Sequence, residues 1–473
     1  MIQGFSLNPA APQDLLRRLF ENHPREFGPA LRQRADLPDD IVAAAVRHPS
    51  PWTRRAIGSN PSVDPEIRLS LVEDPDGDVA LAVVLSPWPG QRWREAVTRH
   101  LDHLVALVHA GRRDEQAARV ALEELGSEDR RAVALMVAHP APTVRLAAAG
   151  LIGPGRPLWN RLAADDDPRV RADVARREHE ATRARGLADF PQKPCHARTD
   201  TIVGRRLTPE AVAHLLRTEP ASLAYNKYLT PETVAALVAH PDPAVRRPAA
   251  YRTDLTRAQV HALIADPDVS VRTAASLHAL LGEEIQTTID IDPSTMDPDI
   301  LAPVPDDLTE SIRLATSVNP LRRRRAARDP RLPAGTVTVL AGDADPQVRM
   351  HVALHHPDPP PALLLRVFRE DVSRRRALAN RIPPDGLSAF AADPDPEFRA
   401  LALRDPATDP IPLLDDPDPR VRRAAVASPR VPADRLVVML DDPDPGVADA
   451  AAANPALPVP VMVQRAAATA RPA

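Results

Sequence analysis

Apolar residues along this chain come in short bursts, each introduced by the same kind of polar punctuation. Val260, Leu263 and Ile264 follow Thr256-Arg257-Ala258-Gln259, and Val234, Leu237 and Val238 follow Leu229-Thr230-Pro231-Glu232. Val212, Leu215 and Leu216 follow Leu207-Thr208-Pro209-Glu210 in the same way. The i, i+3, i+4 spacing predicts short helices that each bury one stripe. Thr256 with Gln259 three residues on has the form of a capping box, and Leu255 is placed to staple onto Val260. A second kind of burst follows Asp-Pro, as in Val245, Ala249 and Ala250 behind Asp242-Pro243. There the aspartate is suited to cap a helix and the proline to occupy its first position, where no amide donor is required.

The second phrase recurs. It reads Asp-Pro-Ala-Val-Arg ending at Arg246, Asp-Pro-Gln-Val-Arg ending at Arg349, and Asp-Pro-Arg-Val-Arg ending at Arg171 and at Arg422. Looser copies end at Arg145 and Arg399, and residues 76–80 and 444–448 keep the frame without the arginine. Anchor positions 54 and 80, 145 and 171, 246 and 272, 323 and 349, 349 and 375, and 422 and 448 are each separated by 26 residues; 375 to 399 is 24 and 399 to 422 is 23. A fixed period of this size predicts an all-α solenoid of two-helix repeats in which the second helix is short α or 3-10. Such short helices are not stable alone, so stacking must supply the core.

The phrase is clearest over residues 418–440, and it resembles the leucine-rich repeat variant family, akin in style to HEAT and armadillo repeats. The resemblance covers roughly residues 40–80, 130–171, 200–275 and 311–465. It implies a right-handed superhelix of alternating α and 3-10 helices. One member type of that family carries a cysteine-bound iron–sulfur cluster ahead of the repeats. This chain has the single cysteine Cys195, so that cluster is not carried over, and no cofactor is expected.

The period divides the chain into N-terminal repeats over 1–171 with an irregular segment at 81–130, a linker or loop over 172–204, central repeats over 205–275, an acidic insertion over 276–310 with a degenerate repeat within it, and C-terminal repeats over 311–473. The irregular segment holds Trp88 and Trp93, read as core aromatics rather than a contact surface. The linker holds Cys195 and His196, which with His179 form a weak metal-ligand set without recognisable spacing. Residues 273–312 hold nine acids (Glu283, Glu284, Asp290, Asp292, Asp297, Asp299, Asp306, Asp307, Glu310) and no lysine or arginine, and read as a solvated loop. They lack the ligand order of an EF-hand.

Composition adds three constraints. Of 473 residues, 55 are proline and only 17 glycine, so proline marks the helix starts and stops and no low-complexity chain is implied. Sixty basic and 64 acidic residues leave a net charge of −4, which gives no bulk attraction to nucleic acid. One cysteine, no evident leader and no long apolar run point to a reducing, cytoplasmic setting of the kind found in bacteria. The only lysines are Lys193 and Lys227; the arginine bias reads as the codon habit of a GC-rich genome.

The anchor arginines should align as a ladder when repeats stack. Aspartates at the repeat junctions (Asp343, Asp393, Asp416, Asp442) are spaced to pair with them, which favours a structural network over a binding track. The run Arg322–Arg325 outnumbers its local acids, so Arg322, Arg323, Arg324 and Arg325, with Arg349, Arg375 and Arg376, form the candidate partner-binding patch. His48, His139, His240 and His356, each before proline, and Asn60, Asn319 and Asn454 read as structural residues that satisfy local backbone groups. No nucleophile elbow, phosphate loop, dinucleotide fingerprint or His-Glu-x-x-His is present. These features point to a non-enzymatic scaffold that binds a protein or peptide through its concave face and inserted loops. The alternative is a HEAT-like nucleic-acid binder, related to DNA repair, with an arginine-lined groove. No membrane partner is expected.

Overall fold

The computed structural model describes residues 1–473 apart from 154–155, 192, 194, 297–303 and 470–473. Among the described residues the chain is a succession of short helices with a single isolated bridge, Arg185 to Leu207, and no sheet. It is a helical repeat solenoid built on the punctuation described above. Thr230 caps Pro231–Val238, and Thr256 caps Arg257–Ile264 in a complete capping box with Gln259. Asp242, Asp268, Asp345, Asp395, Asp418 and Asp444 each accept an amide at the start of the helix that follows. The two short steps of the period have a physical reason. They contain the 3-10 segments Leu387–Phe390 and Pro412–Asp415 in place of an α-helix. A 3-10 helix rises about 2.0 Å per residue against 1.5 Å, so fewer residues cover the same length.

By contacts the chain divides into two compact units, one formed by residues 1–178 together with 384–473, the other by 179–383. In the first unit the last repeats are followed, in space, by the first. One hydrophobic core runs from Phe5 through Val174 and from Leu413 through Ala466. Ile2–Leu7 packs on Pro445–Ala453, and a Cβ on Gly4 would lie 2.2 Å from the carbonyl oxygen of Asp449, so only glycine admits this approach.

A ladder of side-chain-to-carbonyl bonds passes through the junction without a change of register. Asn454 donates to the carbonyls of Val426 (2.7 Å) and Ser428 (2.8 Å). Asn8 donates to Ala452 (2.9 Å) and Asn454 (2.7 Å), Arg34 to Ser6 (3.1 Å) and Asn8 (2.7 Å), and Asn60 to Leu31 (2.9 Å) and Arg34 (2.8 Å). Each clamp satisfies carbonyls at a helix end that has no intrahelical donor left. Residues 1–40 lack the repeat phrase, yet they stack as repeats.

In the irregular segment two long helices, Arg92–His109 and Glu115–Glu128, replace short pairs. Trp88 and Trp93 are half-buried against the core. Trp93 donates to Asp129 (2.9 Å), and Trp88 lies under the fully buried guanidinium of Arg68 at 4.0 Å. Burial pushes the Arg68 pKa down to about 10. Arg68 instead donates to the carbonyls of Gly58 (2.9 Å) and Pro87 (2.9 Å) and to Ser86.

In the second unit, buried clusters lie around Leu215, around Leu237 and around Val260, and further buried residues such as Leu321, Leu340 and Val367 follow in the later helices. The stretch expected as a linker is mostly helical: Pro168–Thr182 runs into it from the first unit and His196–Gly204 closes it. The acidic insertion, in its described part, is not a free loop. Glu283 binds Arg322 (3.0 Å), Asp290 binds Arg272 (2.7 Å), and Asp292 caps Pro293–Thr295. Asp297 and Asp299 lie outside the described residues.

Candidate partner-binding face

The anchor arginines show how charge is used in this fold. In Arg54, Arg145, Arg246, Arg323, Arg399 and Arg422, Nε and Nη2 grip both oxygens of an aspartate in the next repeat: Asp74, Asp165, Asp266, Asp343, Asp416 and Asp442. In Arg246 these bonds are 2.6 and 2.8 Å, and Nη1 donates to the carbonyls of His240 (2.7 Å) and Pro241 (2.8 Å). The same carbonyl pair, five and six residues back, is held by Arg54, Arg145, Arg323, Arg399 and Arg422. Each receiving aspartate also accepts the amide two residues on, from Asp76, Asp167, Asp268, Asp345, Asp418 or Asp444.

These six aspartate side chains are only 3–8% exposed. Hydrogen bonding to Arg422 holds the Asp442 carboxyl below its usual range, and Asp266 raises Arg246. The planar five-donor fork is what this position needs, and lysine could not fill it. At these anchors, then, the arginine preference has a structural cause beyond codon usage.

The histidines before proline stand where the junction aspartates stand in other repeats. His48, His139 and His240 accept the amide two residues on through Nδ1, at 3.0–3.1 Å. Among the described residues no three His, Cys, Asp or Glu side chains converge as metal ligands. Cys195 is exposed, and His196 lies 3.8 Å from Asp200.

The candidate patch splits when placed on this frame. Arg322 is buried and binds Glu283, Arg323 is a ladder member on Asp343, and Arg324 is buried against Asp345 (2.7 Å). Arg349 is buried too, donating to Glu370 (2.7 Å) and to the carbonyls of Asp343 and Ala344. Arg325 is half-buried, and burial lowers its pKa. Arg375 donates to the carbonyl of Phe368 and stands 5.2 Å over its ring. These side chains hold the repeats together. Arg376 is exposed and makes no ion pair among the described residues.

Arg328, half-buried, and Arg374, exposed, likewise have no carboxylate partner among the described residues, while Arg381 spends its donors on the carbonyls of Ala353 (2.7 Å), Leu354 (2.5 Å) and His356. The charges of Arg328, Arg374 and Arg381 all bear on His355; burial first and then these charges hold its pKa below the ordinary histidine value. His355 packs on His351 with ring centroids 5.7 Å apart. His351 is buried with neither ring nitrogen hydrogen-bonded, and burial above all pushes its pKa down to about 4, so it is neutral at physiological pH.

Residues 320–383 contain thirteen arginines and six carboxylates, a net +7 in a chain of net −4. Of the acids here, Asp343 and Asp345 are held by Arg323 and Arg324, and Glu370 is shared by Arg349 and Arg366. Asp371 is engaged by the amide and hydroxyl of Ser373. Val372, two residues before Arg374, is 69% exposed, which adds an apolar foothold to a cationic surface. The local surplus is countable in the sequence; which arginines remain unpaired is not, because that depends on partners 17 to 39 residues away.

No protein-family model and no curated protein matches this chain. Among solved structures, it is similar to one described as a leucine-rich repeat variant with a novel repetitive protein structural motif. Identity there is 27%, over 56% of this chain and 88% of that one, with a TM-score of 0.26. It is also similar to Kap121p in a crystal structure bound to Ste12p, at 13% identity over 93% of this chain and 54% of that chain, about half its length, with a TM-score of 0.23. The first is the family that residues 418–440 resemble. At these TM-scores the repeat architecture rests on the chain's own geometry. Among the described residues no helix is long and apolar enough to cross a membrane.

Proposed function

We propose that this protein is a non-enzymatic interaction scaffold whose second unit binds an acidic segment of a protein partner. The observation that carries the reading is the positive charge of Arg328, Arg374 and Arg376, which have no carboxylate partner among the described residues, in a fold that pairs six of its anchor arginines with aspartates of the next repeat. An arginine kept in water by the fold is free to form charge-assisted, two-pronged bonds to carboxylates. Exposed Val372 beside it suits a partner that mixes acids with aliphatic residues.

The same cations favour a second reading, binding to a phosphate backbone. Fluorescence anisotropy separates the two, with a labelled poly-glutamate peptide and a labelled DNA duplex titrated over a range of salt. The scaffold reading expects poly-glutamate to bind at low salt and to weaken about tenfold or more in the Arg374→Glu/Arg376→Glu protein. No binding of poly-glutamate at low salt overturns it, and tighter binding of the duplex moves the assignment to nucleic acid.

A further inference from the structure

All three tyrosines of the chain lie within 27 residues, at Tyr225, Tyr228 and Tyr251, in a protein that is only 3% aromatic. The structure brings them to one surface of the second unit. A pocket of about 260 Å³ is lined by Ala224, Tyr225, Lys227, Tyr251, Arg252 and Asp254, among others. Tyr225 is 46% and Tyr228 40% exposed, both large values for residues of this size. Tyr225 lies beside Tyr251 and within reach of the Arg247 charge. Lys227 Nζ stands 5.1 Å, and the Arg206 guanidinium 4.9 Å, from the centre of the Tyr228 ring. Tyr251 donates its hydroxyl to Met296 Sδ (3.1 Å), which fixes the far wall.

The support beneath these rings is rigid. Asn226, fully buried, donates to the carbonyls of Ile202 (2.5 Å) and Arg205 (2.8 Å) and accepts the amide of Tyr228 (2.7 Å). Arg252 Nη1 holds the carbonyls of Ala224 and Asn226 from the next repeat. Tyr225, Lys227 and Tyr228 are thus presented outward from a segment clamped on both sides, so a ligand meets them already ordered.

The chemistry of the wall is one-sided. The hydroxyls of Tyr225 and of neighbouring Tyr228 and the Lys227 ammonium make no hydrogen bond or ion pair among the described residues, so the site is rich in unused donors. Its carboxylate, Asp254, is already held by both prongs of Arg252. A ligand must bring acceptors and something flat or ring-shaped to lie against tyrosine. Drug-sized ligands fill pockets of about 300–1,000 Å³, so this one suits a side chain or two of a longer chain. A polyproline II segment meets both demands. Its carbonyls are left without internal partners, and its rings dock on aromatic walls at low entropic cost. We propose that the pocket between Tyr225 and Tyr251 is a docking site for an extended, proline-containing acidic peptide of a partner protein, with a carboxylate set against Lys227.

This site is independent of Arg374 and Arg376, and its test is run in the Arg374→Glu/Arg376→Glu protein, so that failure of one site does not mask the other. The probe is a fluorescein-labelled peptide of alternating proline and glutamate. Peptides of alternating glycine and glutamate and of alternating proline and lysine are the controls. The proline–glutamate peptide should bind best, and Tyr225→Ala or Lys227→Glu should each weaken it by at least about tenfold, while Tyr225→Phe keeps the ring and loses less. Circular dichroism melting of Tyr225→Ala should match the parent, since Tyr225 is half-exposed. Equal binding of the glycine and proline probes, or unchanged affinity in both Tyr225→Ala and Lys227→Glu, overturns the proposal.

Discussion

Residues 384–473 and residues 320–383 are written in the same repeat phrase, yet they use charge in opposite ways. The first stretch holds nine arginines and fourteen carboxylates, a net −5; the second holds thirteen and six, a net +7. In the first, Arg399 and Arg422 close on Asp416 and Asp442, and exposed Arg420 and half-buried Arg435 and Arg465 pair with Asp418, Asp415 and Asp441. In the second, Asp329, Asp343, Asp345 and Glu370 are held by Arg331, Arg323, Arg324 and Arg349, Arg322 takes Glu283 from outside the stretch, and Arg328, Arg374 and Arg376 have no carboxylate partner among the described residues. Where the next repeat supplies an aspartate, an anchor arginine fastens the stack; docking is the role proposed for exposed Arg374 and Arg376, which have no carboxylate partner among the described residues.

The largest effect should come from removing one partner of a closed pair. Asp442→Ala leaves the Arg422 guanidinium, whose side chain is 14% exposed, without its counter-charge. Loss of one partner of a buried pair costs about 3–5 kcal/mol, so urea unfolding of this variant should show a midpoint well below the parent's. A change under about 0.5 kcal/mol, the range of an ordinary surface substitution, would mean that the ladder does not fasten the repeats.

Next come the carbonyl clamps. Asn454→Ala strips donors from the buried carbonyls of Val426 and Ser428 at a cost of about 1–3 kcal/mol. Asn8→Ala does the same across the junction of the first and last repeats. If that junction is one more step of the stack, the two variants lose similar stability, and hydrogen exchange quickens on both sides of each clamp. A silent Asn8→Ala beside a costly Asn454→Ala would set the junction apart from the regular repeats.

Much of this arrangement could be read from the residues, and the part that could not has a definable cause. Capping is local: Thr256 with Gln259, and Asp before Pro, specify helix starts within four residues, so helices and period are visible in the chain. Ladder pairs lie 17 or 20 residues apart, within one period, so Asp343, Asp416 and Asp442 were legible as partners once the period was known. Contacts of long sequence separation were not. Gly4 on Asp449, Asn8 on Asn454, and Glu283 on Arg322 each join a segment without the repeat phrase to one that carries it. The arginine run 322–325 drew notice by its density, but density is not availability. The tyrosine pocket left a signal in the crowding of Tyr225, Tyr228 and Tyr251, whose meaning waited on the clamp at Asn226.

A smaller, pH-dependent effect sharpens the contrast. His351 lies in the cationic stretch and His100 in the first unit, and burial holds both near pKa 4 against an ordinary 6.5. Between those values the unfolded chain binds protons that the folded chain refuses. The stability this gives is therefore complete above about pH 6.5 and is lost as pH falls toward 4. At about 1.36 kcal/mol per unit, each histidine contributes at most about 3 kcal/mol. His351→Leu should flatten the fall in urea midpoint between pH 7 and 4.5; an unchanged slope would show that His351 is reached by solvent in the folded state.

The smallest expected effect on stability belongs to the exposed arginines, and it makes the decisive comparison, since Arg323 lies in the same cationic stretch as Arg374 and Arg376. Thermal unfolding and poly-glutamate affinity are to be measured together for Arg323→Ala and for Arg374→Glu/Arg376→Glu. Arg323→Ala should lower the unfolding midpoint clearly and leave affinity within about twofold. The double variant should unfold within about 0.5 kcal/mol of the parent and lose about tenfold or more in affinity. If Arg323→Ala leaves the midpoint unmoved, or the double variant binds as the parent does, pairing with aspartate is not what divides the two roles of arginine in this chain.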